Sequence, residues 1–408
     1  MSEPEKGFLK TLDEFWFGHG SPTSLGVFRI LMGGLVFINL LMILRDWGDW
    51  FSERGYVPAW LGGTYLRPGI PLFADPNSPV IPRLDVLSGV TNPYLSLGIY
   101  LVTVLCAFLT CVGLWTRISS ILLAIGLVSL HHRNALILHG GDTVMRVMVL
   151  YLAITPSGAA CSLDRMIRLW KGKETGEPVR ISLWGQRLIM YNMALIYFTT
   201  TWLKWFGNLW KEGTATYFPG RLAEFFRFPY PEFLREPPMV QITNYGTLAI
   251  EFALATLVFY KPLRKWVLLA GIMLHAWIEY SMNIPLFSYL MVSMYVTFYE
   301  GEEVSAWFQR VGHRLGKFKA IVHLPKGTHL SPSGAAFFDA ADPLKVVTYV
   351  ASEDEELRPV EVRKSWTHSL GAWLYGWIPG LWRKLLQSAV EPALEEGSAS
   401  VPRQRAKR

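Results

Sequence analysis

The sequence predicts an all-α integral membrane protein, a bundle of about eight transmembrane helices with a small C-terminal soluble tail. Three observations lead there. Of the 408 residues, 51% are hydrophobic, 14% are aromatic and only 17% are charged. That charged share sits well below the roughly 25% of a soluble protein. The mean hydropathy is +0.25. The apolar residues also gather into runs of the length a bilayer asks for, about 20 residues. A disordered chain does not carry this much apolar mass. The net charge of +7 suggests nucleic acid in a soluble protein. Here the cations fall between apolar runs, as in membrane proteins, and no nucleic-acid partner is expected.

The elements follow in order. Residues 1–23 form a polar N-terminal lead with Lys6, Lys10, Asp13 and Glu14. No small-residue cleavage site follows the first apolar run, so it is expected to stay as a signal anchor. The spans are expected at 24–44, 94–113, 117–133, 142–156, 187–206, 243–260, 265–280 and 285–299. With the N-terminus inside, the inner loops hold twelve Lys and Arg and the longer outer loops nine. That bias fits the positive-inside rule and puts both termini in the cytoplasm. Two outer loops are large. Loop 46–92 is rich in Pro and Gly. In loop 207–242, apolar and charged residues alternate around Phe225 and Phe226, which predicts a short interfacial helix. The transmembrane domain spans 24–300. Residues 301–408 form a cytoplasmic tail or small domain, with a strand at 346–351, an amphipathic helix at 372–386 broken at Pro379 and Gly380, and a basic end, RQRAKR. Cys106, Cys111 and Cys161 form no CxxC, so neither a disulfide framework nor a thiol redox motif is expected.

Charged groups inside spans are costly, by roughly 2.5–3.5 kcal/mol on insertion scales. Each is therefore either a site or one half of a structural pair. Arg29, Arg146 and Glu251 read as structural charges, the two arginines paired with Glu251 or Asp142. His275 and Glu279 are four apart on one helix face. The expected topology brings them to the outer membrane face with Asn134, Asp142 and Lys204. Lys204 stands among Trp202, Trp205 and Trp210. That pattern reads equally as a snorkelling anchor in an aromatic belt. His275 alone reads equally as a satisfied core histidine. His275 with Glu279 is too small a set for a metal, and His131, His132, His139 and Asp142 match no metal-ligand spacing, so no metal is expected. If Lys204 is functional, burial among aromatics disfavours its charged form and a neutral amine serves as a base. Such a site, lined by Trp and Phe, suits a lipid-soluble quinone.

Several runs carry a family resemblance. SLGVFRILMGGLVFINLL resembles the first span of the vitamin K-dependent γ-carboxylase family, whose bacterial members are the horizontally transferred transmembrane (HTTM) domain proteins. GLWTRIS resembles the family's turn between spans two and three. RNALILHGGDTVMRVMVLYLAITPSGAACSLDR resembles its Asn-led segment with a closing Ser-Leu-Asp. IYFTTTWLKWFGNLWKEGTA and HAWIEYSMNIPLFSYLM resemble its Lys and His segments, and the matches fall in order over residues 20–300.

The resemblance implies a bacterial cytoplasmic-membrane protein that works on a secreted peptide or protein with reduced vitamin K or menaquinol. It places Lys204 on the family's base and Asn134 and His275 on positions that contact the vitamin. Lys204 and His275 are the catalytic candidates. Asn134, Asp142, Trp205, Glu279 and Tyr289 are the quinone- or substrate-binding candidates. The implied reaction is carboxylase-like, of the carbon–carbon lyase type. A non-catalytic maturation or export factor for a secreted peptide is the alternative. The carboxylases carry a His directly after the matching Asn, where this chain has Ala135. The large extracytoplasmic region that grips their propeptide has no counterpart here. Fold and site position therefore transfer further than the reaction.

Overall fold

The structure is a computed structural model that describes residues 7–58, 85–87, 89–134, 136–229, 231–314, 320–324, 326–345, 347–351 and 379–392. Ala135, residues 372–378 and the basic RQRAKR end lie outside the described residues. The chain divides into two compact units, Met1–Asp164 with Val179–Val304, and Arg165–Pro178 with Ser305–Arg408.

The first unit is helical. Its main helices are α1 (Phe8–Phe17), α2 (Thr23–Leu44), α3 (Pro93–Val112), α4 (Thr116–Arg133), α5 (Gly140–Ile154), α6 (Trp184–Phe206), α7 (Pro237–Ala255), α8 (Lys261–Ser281) and α9 (Phe287–Ser293). A 3-10 turn, Met294–Phe298, extends α9. The eight apolar runs of the sequence thus become α2 to α9, with ends shifted by a few residues. The lead, read as merely polar, contains α1. There Trp16 stacks on Tyr191 of α6, with ring centroids 5.0 Å apart. A two-residue bridge pairs β1 (His19–Gly20) with β2 (Ile181–Ser182).

Local chemistry sets the helix ends. Asn92 caps α3 by accepting the Tyr94 amide at 2.9 Å, and Pro93 occupies the first helical position, where no donor is needed. At the start of α5, His139 Nδ1 accepts the Gly141 amide at 3.0 Å and Asp142 Oδ2 accepts the His139 amide at 2.8 Å, a reciprocal cap. The α3–α4 turn is held by Asp164, which accepts the Trp115 amide at 2.8 Å and the Thr116 amide and hydroxyl at 2.7 Å each.

Consecutive helices pack on one another, and α9 closes the ring against α2 and α5. On α2, Phe28, Met32, Val36 and Leu40 are buried at four-residue spacing. Gly33 lets two backbones meet, since a Cβ there would lie 2.8 Å from the Cys111 amide nitrogen. The outward faces are apolar: Ile30, Ile38 and Met42 on α2, Leu101, Val102 and Leu105 on α3, and Leu195, Phe198 and Trp202 on α6 are all exposed. The buried faces carry Ser24, Arg29, Asn39, Thr103, Thr110, Ser119 and Ser120. Apolar outward faces, with polar groups set into an otherwise apolar interior, suit a lipid surround, where polar groups must find their partners within the protein. Among the described residues two helices, α2 and α3, are long and apolar enough to cross a membrane, each with a mean hydropathy of 2.3.

Loop 207–242 departs from its expectation. No α-helix forms around Phe225 and Phe226, which lie in turns between short 3-10 pieces at Pro219–Arg221 and Glu232–Arg235. Pro219, Pro229, Pro231, Pro237 and Pro238 supply no amide donors to sustain a helix. The chain instead pairs with the end of α8: Phe226 bridges Met282, and the Asn283 amide donates to the Phe225 carbonyl at 2.6 Å.

The second unit mixes helix and strand. β3 (Ala320–Leu324) pairs in parallel with β5 (Val347–Ala351), Ala320 opposite Val347. β4 (Thr328–Leu330) pairs antiparallel with β6 (Val390–Pro392). Helices Pro332–Ala341 and Pro379–Ala389 bury Phe338, Leu386 and Ala389 between them. Of the helix expected at 372–386, the described part runs Pro379–Ala389, and the rest lies outside the described residues.

Candidate functional site

Lys204 sits in the last turn of α6 and forms an ion pair with Glu251 of α7. The Thr200 hydroxyl, one turn back, reaches the other Glu251 oxygen at 3.5 Å. Lys204 Nζ also lies 5.2 Å from the Trp210 ring centroid, a cation–π distance. The Lys204 side chain is 25% exposed and that of Glu251 8%. The lysine is therefore not isolated among aromatics as the sequence suggested. A carboxylate from the next helix meets it.

Two turns before Lys204, on the same face, Tyr197 is fully enclosed. Its hydroxyl is 2.7 Å from His275 Nε2 and 3.0 Å from the Tyr295 hydroxyl. All three rings are buried. Gly271 makes the room: a Cβ there would stand 2.4 Å from the Tyr295 hydroxyl. Lys204 follows Tyr197 by seven residues on α6, so the ion pair and the Tyr–His–Tyr group lie along one side of that helix.

His275 opens on its other side to a cavity of about 540 Å³ between α2, α8 and α9, lined by His275, Glu279, Ser288 and Tyr289 with Leu31 and Leu35. Its volume lies within the range of ordinary small-molecule sites. Three buried polar atoms of its lining residues have no partner among the described residues: His275 Nδ1, Ser288 Oγ and Glu279 Oε2. Buried polar groups are normally satisfied, and these three belong to residues around one cavity. The other Glu279 oxygen pairs with Arg227. A second cavity of about 510 Å³, between α6 and α7, is lined by Phe198, Trp202, Trp205, Tyr245, Leu248 and Phe252. It is an apolar slot.

The sequence-derived candidates separate accordingly. His275, Glu279 and Tyr289 share the polar cavity, and Lys204 lies in the neighbouring network. Trp205 lines the apolar slot. Asn134 is wholly buried, but its amide donates to the Trp50 carbonyl at 3.1 Å and accepts the Leu136 amide at 3.1 Å. Asp142 is occupied in the α5 cap. The expected pairing of Arg29 and Arg146 with Glu251 or Asp142 does not form, because Lys204 and His139 take those carboxylates. Arg29, 0% exposed, donates to the Cys161 carbonyl. Arg146 is half-buried and has no ion-pair partner among the described residues. The sequence reading missed Tyr197, Tyr295, Ser288 and Arg227. The one available signal was spacing: Tyr197 is seven residues before Lys204, and Ser288 adjoins Tyr289.

A helical unit with apolar outward faces, a buried ion pair and a polar cavity at its core defines a membrane-associated protein with an internal polar site. The chain belongs to the HTTM domain family, whose model matches residues 71–302. The HTTM domain is associated with vitamin K-dependent carboxylase-like membrane proteins. No curated protein and no solved structure gives a match.

Proposed function

We propose that this protein is an eight-span protein of the bacterial cytoplasmic membrane, with both termini in the cytoplasm, that carries out lipid-quinol-linked modification of a secreted protein or peptide. The observation that carries the reading is the position of the Lys204–Glu251 pair and the Tyr197–His275 contact beside a cavity whose lining residues hold three unpartnered polar atoms. Reduced vitamin K or menaquinol, when bound, supplies a hydroxyl proton and two electrons. The cavity's volume and the orphaned donors and acceptors of its lining residues fit such a ring and its oxygens. Lys204 would act as the base in its neutral form, its own proton passing to Glu251, and His275, with Nε2 against the Tyr197 hydroxyl, would hold the ligand's hydroxyl group. Leu31 and Leu35 keep water from the ring. Trp205 and its neighbours offer the surrounding lipid an aromatic face, and Asn134 and Asp142 hold the neighbouring helix ends in place.

The test uses the full chain in lipid nanodiscs, wild type beside Lys204→Ala. Reduced vitamin K or menaquinol, oxygen and bicarbonate are supplied, and quinone epoxide is followed by mass spectrometry. Epoxide from the wild type alone is the expected result. Epoxide from neither, with both proteins folded, overturns the enzymatic reading. Attention then passes to Ala135 and to a non-catalytic role in peptide maturation.

A further inference from the structure

We propose that α1 is an in-plane membrane helix, its bare apolar side sunk into the leaflet at the start of α6. This holds whatever ligand the polar cavity takes. Phe8, Leu12 and Phe15 recur at helical spacing, and Leu9 and Trp16 fall beside them on the same side. Lys10, Asp13 and Glu14 fall on the other. The apolar side is used unevenly along its length. Phe15 and Trp16 are half-buried, Phe15 against the core of the bundle and Trp16 on Tyr191. Phe8 and Leu9 are 77% and 78% exposed, and Leu12 is 42% exposed. A contiguous apolar patch of this kind marks a contact surface.

Its position identifies what covers it. The C-terminal half of α1 is pinned to the first turns of α6. The Arg187 guanidinium lies 4.7 Å from the Phe15 ring centroid, and its Nε donates to the Phe15 carbonyl at 3.3 Å. The Ser182 hydroxyl donates to the Phe17 carbonyl at 3.1 Å, and the Leu183 amide to the Gly18 carbonyl at 2.9 Å. Lys204, with Trp202 and Trp205 beside it, stands at the far end of the same helix. From Arg187 to Lys204 the helix rises about 26 Å, close to the roughly 30 Å of a bilayer's hydrocarbon core. The aromatic end of α6 sits at one interface, so α1 sits at the other. Its bare residues continue the lipid-facing side of α6, where Tyr191, Leu195 and Phe198 are exposed. That continuity selects lipid as the occupant. α1 carries one lysine against two carboxylates, so apolar burial, not attraction to anionic headgroups, holds it there.

The experiment reads depth rather than turnover. In the full chain Cys106, Cys111 and Cys161 are replaced by alanine, and one cysteine at a time is introduced by Leu9→Cys, Lys10→Cys, Leu12→Cys or Asp13→Cys. Each protein carries a nitroxide on that cysteine, is checked for native helicity and is placed in phosphatidylcholine nanodiscs. Power saturation of the electron paramagnetic resonance compares collisions with oxygen, which enters lipid, and with a nickel chelate, which stays in water. The oxygen-to-nickel ratio is expected to be severalfold higher for the labels replacing Leu9 and Leu12 than for those replacing Lys10 and Asp13. Equal ratios at the four sites overturn the proposal, because the apolar side then stays in water. Labels replacing Leu9 and Leu12 that are shielded from both reagents also overturn it, because another segment of the chain or a second copy then covers that side. The unaltered chain gives a readout that needs no substitution. In nanodiscs whose phospholipid carries a diazirine on its acyl chain, photoadducts are expected on Phe8, Leu9 and Leu12. Their absence, while the exposed Leu101 and Leu105 of α3 are labelled, overturns the proposal.

Discussion

The Tyr197 hydroxyl lies 2.7 Å from His275 Nε2, and it lies 3.0 Å from the Tyr295 hydroxyl. A single oxygen therefore satisfies two other buried polar groups. Tyr197→Phe removes it without changing the ring. His275 Nε2 and the Tyr295 hydroxyl then lose their partner together, at a cost of about 1–3 kcal/mol. Tyr295→Phe should cost less, because the Tyr197–His275 bond survives. Gly271→Val should resemble Tyr197→Phe, since its Cβ collides with the Tyr295 hydroxyl. Denaturant unfolding in detergent gives the order.

The Lys204–Glu251 pair is asymmetric in burial, and its two halves should respond unequally to substitution. Lys204 is the more exposed, at 25% against 8%. Without Glu251 its long stem can turn the ammonium toward the interface. Without Lys204 the short Glu251 side chain keeps a carboxylate in the interior, where stripping one partner from a buried pair costs roughly 3–5 kcal/mol. Lys204→Met should therefore destabilise more than Glu251→Gln, and the double variant should recover part of the loss. Unfolding measurements on the three variants check the ordering. A symmetric loss would mean that both groups are equally trapped.

Much of the fold was legible because the apolar runs become the helices α2 to α9, of which α2 and α3, among the described residues, have the length and hydropathy of a span. Lys204, His275 and Glu279 stood out because charge inside a span is costly. Their partners did not stand out. Nothing in local sequence says that Glu251, 47 residues away, meets Lys204 rather than an arginine. Tyr197 and Tyr295 read as ordinary apolar-face aromatics until the fold brings their hydroxyls together. The turn at Phe225 and Phe226 was not legible because residues there alternate as in a helix, while the contacts that fix it, to Met282 and Asn283, are distant in sequence.

The closing Ser-Leu-Asp segment owes its aspartate to structure. Asp164 accepts three hydrogen bonds from the start of α4, where Trp115 adopts a left-handed φ of 46°. Asp164→Ala leaves those donors without their acceptor and should cost about 1–2 kcal/mol, the usual range for a lost helix cap. Asp164→Asn keeps one acceptor oxygen and should cost less. Thermal unfolding of both variants, with ligand binding in the polar cavity as a control, separates this structural role from a catalytic one. Binding should be unchanged in both.

Asn134 is the residue on which resemblance and geometry differ most, and its substitution tells which governs. The resemblance assigns it a contact with the vitamin. In the fold its side chain joins the end of α4 to the helical turn at Trp47–Phe51 through the Trp50 carbonyl, and it accepts the Leu136 amide. Both functional ends of the amide are occupied by backbone. Asn134→Asp keeps the acceptor for Leu136 but places a carboxylate oxygen against the Trp50 carbonyl, so two acceptors face each other at hydrogen-bond distance. Asn134→Ala loses both bonds but introduces no such repulsion. Geometry therefore expects Asp to be the more damaging change, by about 1 kcal/mol or more, and expects the affinity for 1,4-dihydroxynaphthalene to hold in folded Asn134→Ala protein. A tenfold loss of affinity in Asn134→Ala at unchanged stability would return Asn134 to the ligand and show that its amide leaves the Trp50 carbonyl when the cavity fills.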